Sequence, residues 1–362
     1  MTLIEAARRK ATLPESMAAQ AELKNLTATR GLETPMFLFG ANVESERWLS
    51  QLNVEGIIDD FAPLPSRFHG VPLVRASDVP VGSLVVNCVT NSKSVTALKR
   101  VQSIAGVHGF NGSDLAAVYP ALPLYSFVEE SRAVIFDEEK RWEQLYLEFI
   151  DDESRVALED VLAYRLTGDP RTLLEYTYRP EEQYFEEFLT LNEEVFLDGG
   201  AYDGETSMLF ASLYPDYRGI HAFEPDPENY ELTLSKLKNL PRTSCHPVGV
   251  SDEVGELKFS IGLGSASVVS DEGSIVLQVE KIDNVAADAT FIKLDLEGWE
   301  LNALKGAEKT IIKNKPKLAL CVYHEPQHFL TYHDWVKNLR DDYRVALRHY
   351  TQGWAETVMY FF

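Results

Sequence analysis

The chain has 362 residues, of which 45% are hydrophobic and 25% are charged. Because single hydrophobic cores stop growing near about 250–300 residues, this length predicts about two domains, and no apolar run approaches the roughly 20 residues of a membrane-spanning helix. The 34 basic and 56 acidic residues give a net charge of -22, which excludes nucleic acid and anionic lipid surfaces as expected partners of a globular, soluble protein.

The first 34 residues are predicted to form a helical segment. The opening stretch MTLIEAARRK has the spacing of a short amphipathic helix and lacks the continuous apolar core and cleavage site of a secretory signal. The three cysteines, Cys88, Cys245 and Cys321, are far apart and form no CxxC motif. We therefore expect reduced, buried thiols and a cytoplasmic location.

Residues 35–130 alternate short apolar runs with polar stretches of helical spacing. Residues near 43–52 and 92–104 are predicted helices, and the predicted strands are MFLF, GIID, SLVVNCV and GVHGF. This alternation predicts a smaller, Rossmann-like α/β domain. It resembles the nucleotide-binding-like domains of sugar-modifying enzymes.

The first turn of this domain departs from a dinucleotide-binding fingerprint. Asp59 and Asp60 follow Gly40 by 19 and 20 residues, near the spacing of an acid that binds a ribose. However, Asn42 and Ser45 stand where the fingerprint requires glycine, and their side chains would crowd a pyrophosphate. A scaffold or acceptor-recognition role is therefore favoured, and a bound nucleotide stays open.

Residues 131–191 are predicted to form a helical connector. Strand signals vanish here, and apolar residues recur at helical spacing in RWEQLYLEFIDDESRVALEDVLAYRL. Pro180 is suited to the first turn of a further helix, EEQYFEEFLTL.

Residues 192–362 return to alternating strands and helices. Helices are predicted near residues 204–213, 227–239, 298–314 and 330–340, and the strand candidates are VFLD, GIHAFE, SCHPVGV, TFIKLD, KLALCVY, YRVALR and TVMYFF. Only HYTQGW separates the last two strands, which predicts a C-terminal antiparallel hairpin. The pattern predicts an α/β fold with a Rossmann-like seven-stranded sheet of the class I methyltransferase type, and ELKFSIG and SIVLQVE predict a further, projecting hairpin.

A ligand-binding turn is predicted where the strand VFLD ends, in DGGAYDG. Its glycines lack the G-x-G-x-x-G spacing of dinucleotide folds, yet small residues here let a ligand lie against the backbone. For S-adenosylmethionine, Asp198 would engage the cationic amino end of the methionine moiety. The predicted cofactor-binding residues of this turn are Asp198, Gly199, Gly200, Ala201 and Gly204.

Two further segments complete the predicted cofactor site. Glu224 lies 26 residues beyond Asp198, at the end of the second strand, where a carboxylate can accept hydrogen bonds from both ribose hydroxyls. The adenine ring is expected near the turn that follows the third strand. The predicted residues of these segments are Glu224, Pro225, Asp226, Gly249, Val250 and Ser251.

The region from about residue 180 to residue 362 resembles the FkbM-type family of S-adenosylmethionine-dependent methyltransferases. The matching segments are FLDGGAYDGET, FEPDP, VGVSDEVGELKF, FIKLDLEGWELNALKGAEKTI and LALCVYHEP. The resemblance implies methyl transfer, commonly to hydroxyl oxygens of sugars or of polyketide-derived products.

The acceptor site is predicted at the carboxyl ends of the fourth and fifth strands, where open α/β sheets collect ligands. These ends carry Asp295, Glu297 and His324. His324 is the predicted base because a near-neutral pKa suits proton removal from an alcohol, and Asp295 would orient the substrate, the cofactor or the histidine. The three residues could also hold a divalent cation, but nothing in their spacing demands one and no metal is predicted.

The predicted function is O-methylation of a sugar, a glycan precursor or a related small molecule, in the context of polysaccharide biosynthesis. The chain has neither the [DN]-P-P-[FYW] motif of base-amine methyltransferases nor the Pro-Cys dipeptide of cytosine C5 methyltransferases. The alternatives are a nicotinamide-dependent sugar-nucleotide oxidoreductase or epimerase that uses the N-terminal turn, and a non-enzymatic nucleotide-sensing protein with the same fold.

Overall fold

The structure is a computed structural model that describes residues 2–30, 34–176, 178–261, 267–269 and 275–362. The chain forms two compact units. The first comprises residues 1–146, 155–180 and 349–356, and the second comprises residues 147–154, 181–348 and 357–362. The four-part division predicted from the sequence, with bounds at residues 34, 130 and 191, stays a prediction.

A six-stranded sheet forms the centre of the first unit. Its strands are β1 Met36–Phe39, β2 Gly56–Ile58, β3 Arg67–Phe68, β4 Val71–Val74, β5 Leu84–Asn87 and β6 His108–Asn111. Their order in the sheet is β3-β4-β2-β1-β5-β6. The central strands are parallel, and a parallel sheet is covered on both faces, which explains why β1 and β5 are apolar and buried. The four strands predicted in this region are confirmed.

The chain up to residue 167 also forms helices, several of which cover this sheet with apolar residues. They are α1 Leu3–Lys10, α2 Pro14–Arg30, α3 Val43–Leu49, α4 Ser94–Gln102, α5 Gly112–Val118, α6 Ser126–Asp137, α7 Glu139–Glu148 and α8 Asp152–Thr167. Leu23 of α2, Trp48 of α3 and Leu115 of α5 share one buried cluster with Leu38 and Val86 of the sheet. The predicted amphipathic helix at the start of the chain is confirmed as α1.

The helix predicted after Pro180 is wrong. The structure has only two short 3-10 turns there, Pro180–Glu182 and Glu187–Leu189. Between them, Tyr184 has φ = 77°, which interrupts any regular helix. Tertiary contacts explain this conformation, since the Tyr184 amide donates to the Tyr360 hydroxyl at 3.1 Å.

A seven-stranded sheet forms the centre of the second unit. Its strands are β7 Val195–Gly199, β8 Gly219–Phe223, β9 Thr243–His246, β14 Phe291–Leu294, β15 Lys317–Cys321, β16 Val345–His349 and β17 Thr357–Phe361. Their order in the sheet is β16-β17-β15-β14-β7-β8-β9. β17 runs antiparallel to β15, whereas β8, β7, β14 and β15 pair in parallel. The predicted seven-stranded α/β sheet with an antiparallel C-terminal strand is confirmed.

A smaller sheet follows β9 in the chain. Its strands are β10 Gly249–Val250, β11 Gly255–Ile261, β12 Ser267–Val269 and β13 Ile275–Glu280, in the order β10-β13-β11-β12. The predicted hairpin of β11 and β13 is confirmed, and residues 262–266 and 270–274 of its connection lie outside the described residues. The single strand predicted from SCHPVGV is divided between the two sheets, with Pro247, which lacks an N–H donor, in the gap.

The remaining helices of the second unit are α9 Glu205–Leu213, α10 Pro227–Leu237, α11 Ile282–Val285, α12 Glu300–Gly306, α13 Glu308–Asn314 and α14 His328–Leu339. The helix predicted over residues 298–314 is thus two helices joined at Ala307. Among the described residues, no helix has both the length and the apolar character that crossing a bilayer requires.

Candidate functional site

The predicted cofactor turn and the predicted acceptor site lie at the same edge of the seven-stranded sheet. β7, β14 and β15 are adjacent and parallel, so their carboxyl ends meet there. Asp198 lies in the end of β7, Asp295 directly follows β14, and His324 follows β15. The two predicted sites are in direct contact, because the Asp295 amide donates to the Gly199 carbonyl at 3.1 Å.

Asp198 is fully buried and is held by side chains of the protein. One carboxylate oxygen accepts from the Lys293 ammonium at 3.0 Å, and the other accepts from the Ser207 hydroxyl at 2.7 Å. A direct contact between Asp198 and the amino end of a cofactor stays a prediction. These contacts favour a different role, in which Asp198 supports the turn from inside the sheet.

Lys293 was not singled out from the sequence. It lies in β14 with a buried side chain, and it also donates to the carbonyls of Gly199 and Gly200 at 3.2 and 2.7 Å. Burial alone would lower the pKa of Lys293, but the Asp198 carboxylate outweighs this effect and the pKa is raised. The available signal was a lysine inside the apolar run FIKL, since a charge in a buried strand needs a partner.

The glycines of the turn have steric reasons to be glycine. Gly200 has φ = +75°, and a Cβ atom there would lie 2.0 Å from the Asp295 carbonyl oxygen. Gly204 has φ = +81° and begins α9 as its N-cap residue. Ala201 between them is buried. The chain thus makes a tight, small-residue turn at the strand end, as the predicted cofactor site requires.

Glu224 lies at the carboxyl end of β8, next to this turn. Its two carboxylate oxygens accept from the amides of Tyr202 and Asp226 at 2.8 and 2.9 Å. Burial raises the pKa of Glu224. Each oxygen keeps a second lone pair, so the carboxylate can still accept from the two hydroxyls of a ribose.

Asp226 caps helix α10 and accepts from the amides of Glu228 and Asn229. Pro225 lies between Glu224 and Asp226, in the same strand-to-helix connection. The predicted adenine segment lies outside the large sheet, because Gly249 and Val250 form β10 and pair with β13. The Ser251 hydroxyl lies 3.3 Å from the indole nitrogen of Trp299, which donates to it. The roles predicted for the turn, for the acid of β8 and for this segment in cofactor binding stay predictions.

The predicted catalytic residues form a compact charged cluster. The His324 Nε2 atom lies 3.1 Å from an Asp295 oxygen and 3.2 Å from a Glu300 oxygen, and its Nδ1 atom lies 3.5 Å from Glu297. The structure therefore brings together all three predicted residues and adds Glu300, which the sequence analysis missed. The signal available in the sequence was a glutamate in the first turn of a helix, a position from which its side chain can accept from preceding backbone amides. In the structure Glu300 accepts from the Leu296 amide at 2.7 Å.

The environment separates the pKa values of these groups. Burial alone would lower the pKa of His324, but its hydrogen bonds with Asp295 and Glu300 raise it well above its usual range. Burial, helped by the charges of Asp295 and Glu300, raises the pKa of Glu297 to about 7. Asp295 keeps a pKa well below its usual range because the hydrogen bond with His324 and the charge of Lys293 outweigh burial. His324 is therefore cationic at neutral pH, and Glu297 titrates there.

Two tyrosines also contact Asp295, and the sequence analysis missed both. The Tyr184 hydroxyl donates to one Asp295 oxygen at 3.0 Å, and the Tyr323 hydroxyl donates to the other at 3.2 Å. Glu297, by contrast, lies in a turn with φ = 54°, which is followed by Gly298 at φ = 99°. Such strained backbone is concentrated at functional sites.

Three residues of this cluster have side chains that could bind a metal ion. Asp295, Glu300 and His324 each offer a ligand atom within 4.8 Å of the others. A metal would require a neutral imidazole, whereas the three surrounding carboxylates favour the imidazolium.

The N-terminal turn is occupied by its own side chains. The Asn42 side-chain oxygen accepts from the amides of Glu44 and Ser45, the donors that would otherwise face a phosphate. Asp59 accepts from the amides of Phe61 and Ala62. These contacts oppose the use of this turn as a nucleotide site.

A comparison with known protein families matches a segment that lies mostly in the second unit. Residues 198–351 match the family model described as the methyltransferase FkbM domain. The predicted resemblance to this family is confirmed over that segment, as are the predicted enzyme class, an S-adenosylmethionine-dependent methyltransferase, and the predicted cofactor. The predicted resemblance of the N-terminal domain to those of sugar-modifying enzymes stays a prediction. A search of the curated proteins finds no match.

A solved methyltransferase structure shows the same fold. The chain is similar over 99% of its length to methyltransferase FkbM from Methylobacillus flagellatus KT, at 22% identity and a TM-score of 0.74, and the alignment covers 98% of that chain. An rRNA methylase from Streptococcus thermophilus aligns with 48% of this chain and 90% of its own, at 15% identity and a TM-score of 0.32. Fibrillarin from Aeropyrum pernix, solved with natively bound S-adenosyl-L-methionine, aligns with 47% of this chain and 67% of its own, at 10% identity and a TM-score of 0.29.

Proposed function

We propose that this protein transfers the methyl group of S-adenosylmethionine to a hydroxyl oxygen of a sugar, a glycan precursor or a related small molecule. The observation that supports this proposal most directly is the cluster of Asp295, Glu297 and His324 beside the Gly199–Gly200 turn. It offers a base that titrates near neutral pH at the edge of the sheet where the cofactor turn lies.

Glu297, rather than His324, is the proposed base. Bound S-adenosylmethionine supplies a methyl group that its sulfonium makes electrophilic. The acceptor hydroxyl would lose its proton as its oxygen takes up the methyl group, and the Glu297 carboxylate would accept that proton. A pKa of about 7 keeps Glu297 both ionised and basic enough at neutral pH, whereas His324 already holds its proton.

His324 and Asp295 are proposed to organise the site. The imidazolium lies between the carboxylates of Asp295, Glu297 and Glu300 and compensates part of their charge. Asp295, with Tyr184 and Tyr323 on its two oxygens, presents hydroxyls and a carboxylate to the acceptor. Such groups suit hydrogen bonds with a polyol.

The cofactor is proposed to lie against the glycine turn, with its ribose hydroxyls on Glu224 and its adenine near Ser251. Glu224 has free lone pairs for this role, although its oxygens also accept from two backbone amides. The acidic balance of the chain, -22 overall, disfavours nucleic acid and other highly anionic acceptors. A neutral carbohydrate acceptor fits best, and we place the reaction in the cytoplasmic biosynthesis of a polysaccharide or a related product.

The contacts of the N-terminal turn oppose the nicotinamide-dependent alternative, because Asn42 occupies the amides of Glu44 and Ser45. Calorimetry with S-adenosylhomocysteine and with NAD, in parallel, separates the two functions. We expect binding of S-adenosylhomocysteine alone, and binding of NAD alone would reject the proposal.

The acceptor is tested with methyl-labelled cofactor and a panel of unprotected glycosides, with fully O-acetylated glycosides as matched controls. We expect label only on the unprotected sugars, in a bond that survives mild alkali as an ether does and a methyl ester does not. Label released by mild alkali would reject a hydroxyl acceptor.

A further inference from the structure

We propose that Lys293 is a positioning residue that sets the shape of the cofactor turn, and that Asp198 acts through Lys293 rather than through contact with the cofactor. The inference rests on the proposed function, because it concerns the proposed binding site of S-adenosylmethionine. It differs from the role predicted for Asp198 from the sequence.

The hydrogen bonds of Lys293 are complete. An ammonium group has three N–H donors. The structure gives the Lys293 ammonium three acceptors, which are the Asp198 carboxylate at 3.0 Å, the Gly199 carbonyl at 3.2 Å and the Gly200 carbonyl at 2.7 Å. Two of these acceptors are backbone groups of the turn itself.

The opposite side of the turn is held as well. The amides of Gly200 and Ala201 both donate to the Phe223 carbonyl, at 3.1 and 3.0 Å. The peptide between Gly200 and Ala201 therefore has its oxygen bonded to Lys293 and its nitrogen bonded to β8. Because a peptide unit is planar, these two anchors set its orientation.

The buried ion pair between Lys293 and Asp198 is not accounted for by a contribution to the stability of the sheet. Lys293 and Asp198 have side-chain exposures of 3% and 0%. Replacing a buried ion pair by well-packed apolar residues is often neutral or stabilising, so such a pair is weak evidence of a stabilising role. An apolar residue could not replace the two N–H donors to the carbonyls of Gly199 and Gly200. These carbonyls belong to the turn on which the cofactor is proposed to lie.

The test separates the effect of an unbalanced buried charge from the effect of the lost N–H donors. In the single variant Lys293→Met, a buried Asp198 carboxylate loses its counter-charge, so both thermal stability and affinity for S-adenosylhomocysteine should fall. In the double variant Asp198→Asn/Lys293→Met no charge is left alone, and thermal stability should largely return. Affinity for S-adenosylhomocysteine should stay about tenfold or more below that of the wild type, because the two carbonyls still lack their donor.

A second readout localises the effect. In the ligand-free double variant, amide hydrogen exchange over residues 199–204 should accelerate, while exchange over β8 should not. Lys317→Met is the control, because it makes the same substitution in a neighbouring strand, β15. Lys317 forms an ion pair with Glu194, which lies outside the turn. This control should bind S-adenosylhomocysteine as the wild type does, and equal losses in the control and in Lys293 variants would overturn the inference.

Lys293→Gln, which keeps an N–H donor on a shorter side chain, provides a third variant if the double variant does not fold. Lys293→Gln should therefore bind S-adenosylhomocysteine more tightly than Lys293→Met does. Wild-type affinity in a folded variant that lacks the donors, Lys293→Met or Asp198→Asn/Lys293→Met, would overturn the positioning role, and so would equal affinity of Lys293→Gln and Lys293→Met. Failure of the wild-type protein to bind S-adenosylhomocysteine would instead reject the cofactor site, and with it both proposals.

Discussion

Gly200 and Asp295 approach each other so closely that a single added carbon atom would not fit between them. A Cβ atom on Gly200 would lie 2.0 Å from the Asp295 carbonyl oxygen. The proposed cofactor turn and the strand end that bears the proposed catalytic residues are thus packed backbone against backbone.

Gly200→Ala is expected to destabilise the protein by about 2 kcal/mol or more, because it adds both a clash and a side chain at φ = +75°. Urea unfolding measures this loss. Gly219→Ala is the control, since its nearest contact would be an ordinary 3.5 Å to Val195. Equal stability of the two variants would contradict the close approach.

Glu224→Gln is expected to weaken S-adenosylhomocysteine about tenfold or more, since a charged acceptor of ribose hydroxyls is lost. An amide nitrogen would also face one of the backbone N–H groups of Tyr202 and Asp226. Calorimetry measures the affinity, and Glu228→Gln, an exposed glutamate in the first turn of α10, should leave it unchanged. Unchanged affinity in Glu224→Gln would refute the ribose role.

Methyl transfer is expected to fall as the pH drops below about 7, because Glu297 must be ionised to accept a proton and its pKa is about 7. Glu297→Gln should lower kcat by about 100-fold or more and leave S-adenosylhomocysteine affinity near that of the wild type. The pH–rate profile of the variant should also lose the limb near pH 7. A wild-type profile in this variant would remove Glu297 from the reaction.

His324→Gln is expected to shift the Glu297 limb of the pH–rate profile upward by about 1 unit, since an opposite charge that lowers the Glu297 pKa is removed. Transfer at pH 7 should therefore fall far more than cofactor affinity. The profile of kcat against pH checks this result. Loss of transfer at every pH, with no shift of the limb, would restore His324 as the candidate base.

Treatment with EDTA is expected to leave methyl transfer unchanged, because a divalent cation at this cluster would have to displace the proton that Asp295 and Glu300 stabilise on His324. The assay compares rates before chelation, after it, and after addition of Mg²⁺. Loss of activity that Mg²⁺ restores would assign Asp295, Glu300 and His324 to a cation site.

Much of the second unit could be predicted from the sequence because its signals are local. Apolar runs identified β7, β8, β14, β15 and β17, and the glycine turn and Glu224 were placed by their positions at strand ends. The presence and limits of helices could not be predicted where tertiary contacts override the local helical spacing. The segment after Pro180 has helical spacing, yet the contacts of Tyr184 with Tyr360 and Asp295 hold it in another conformation.

The sequence by itself determined the succession of strands along the chain, the glycine turn after β7 and the acidic and histidine residues at the neighbouring strand ends. These features depend on periodicity and strand-end position, which are properties of neighbouring residues. Only the tertiary structure decided which charges meet. Asp198 and Lys293 are 95 positions apart, and three carboxylates surround His324. Since a pKa depends on burial and on nearby charges, the exchange of the proposed base from His324 to Glu297 became apparent only in the folded chain.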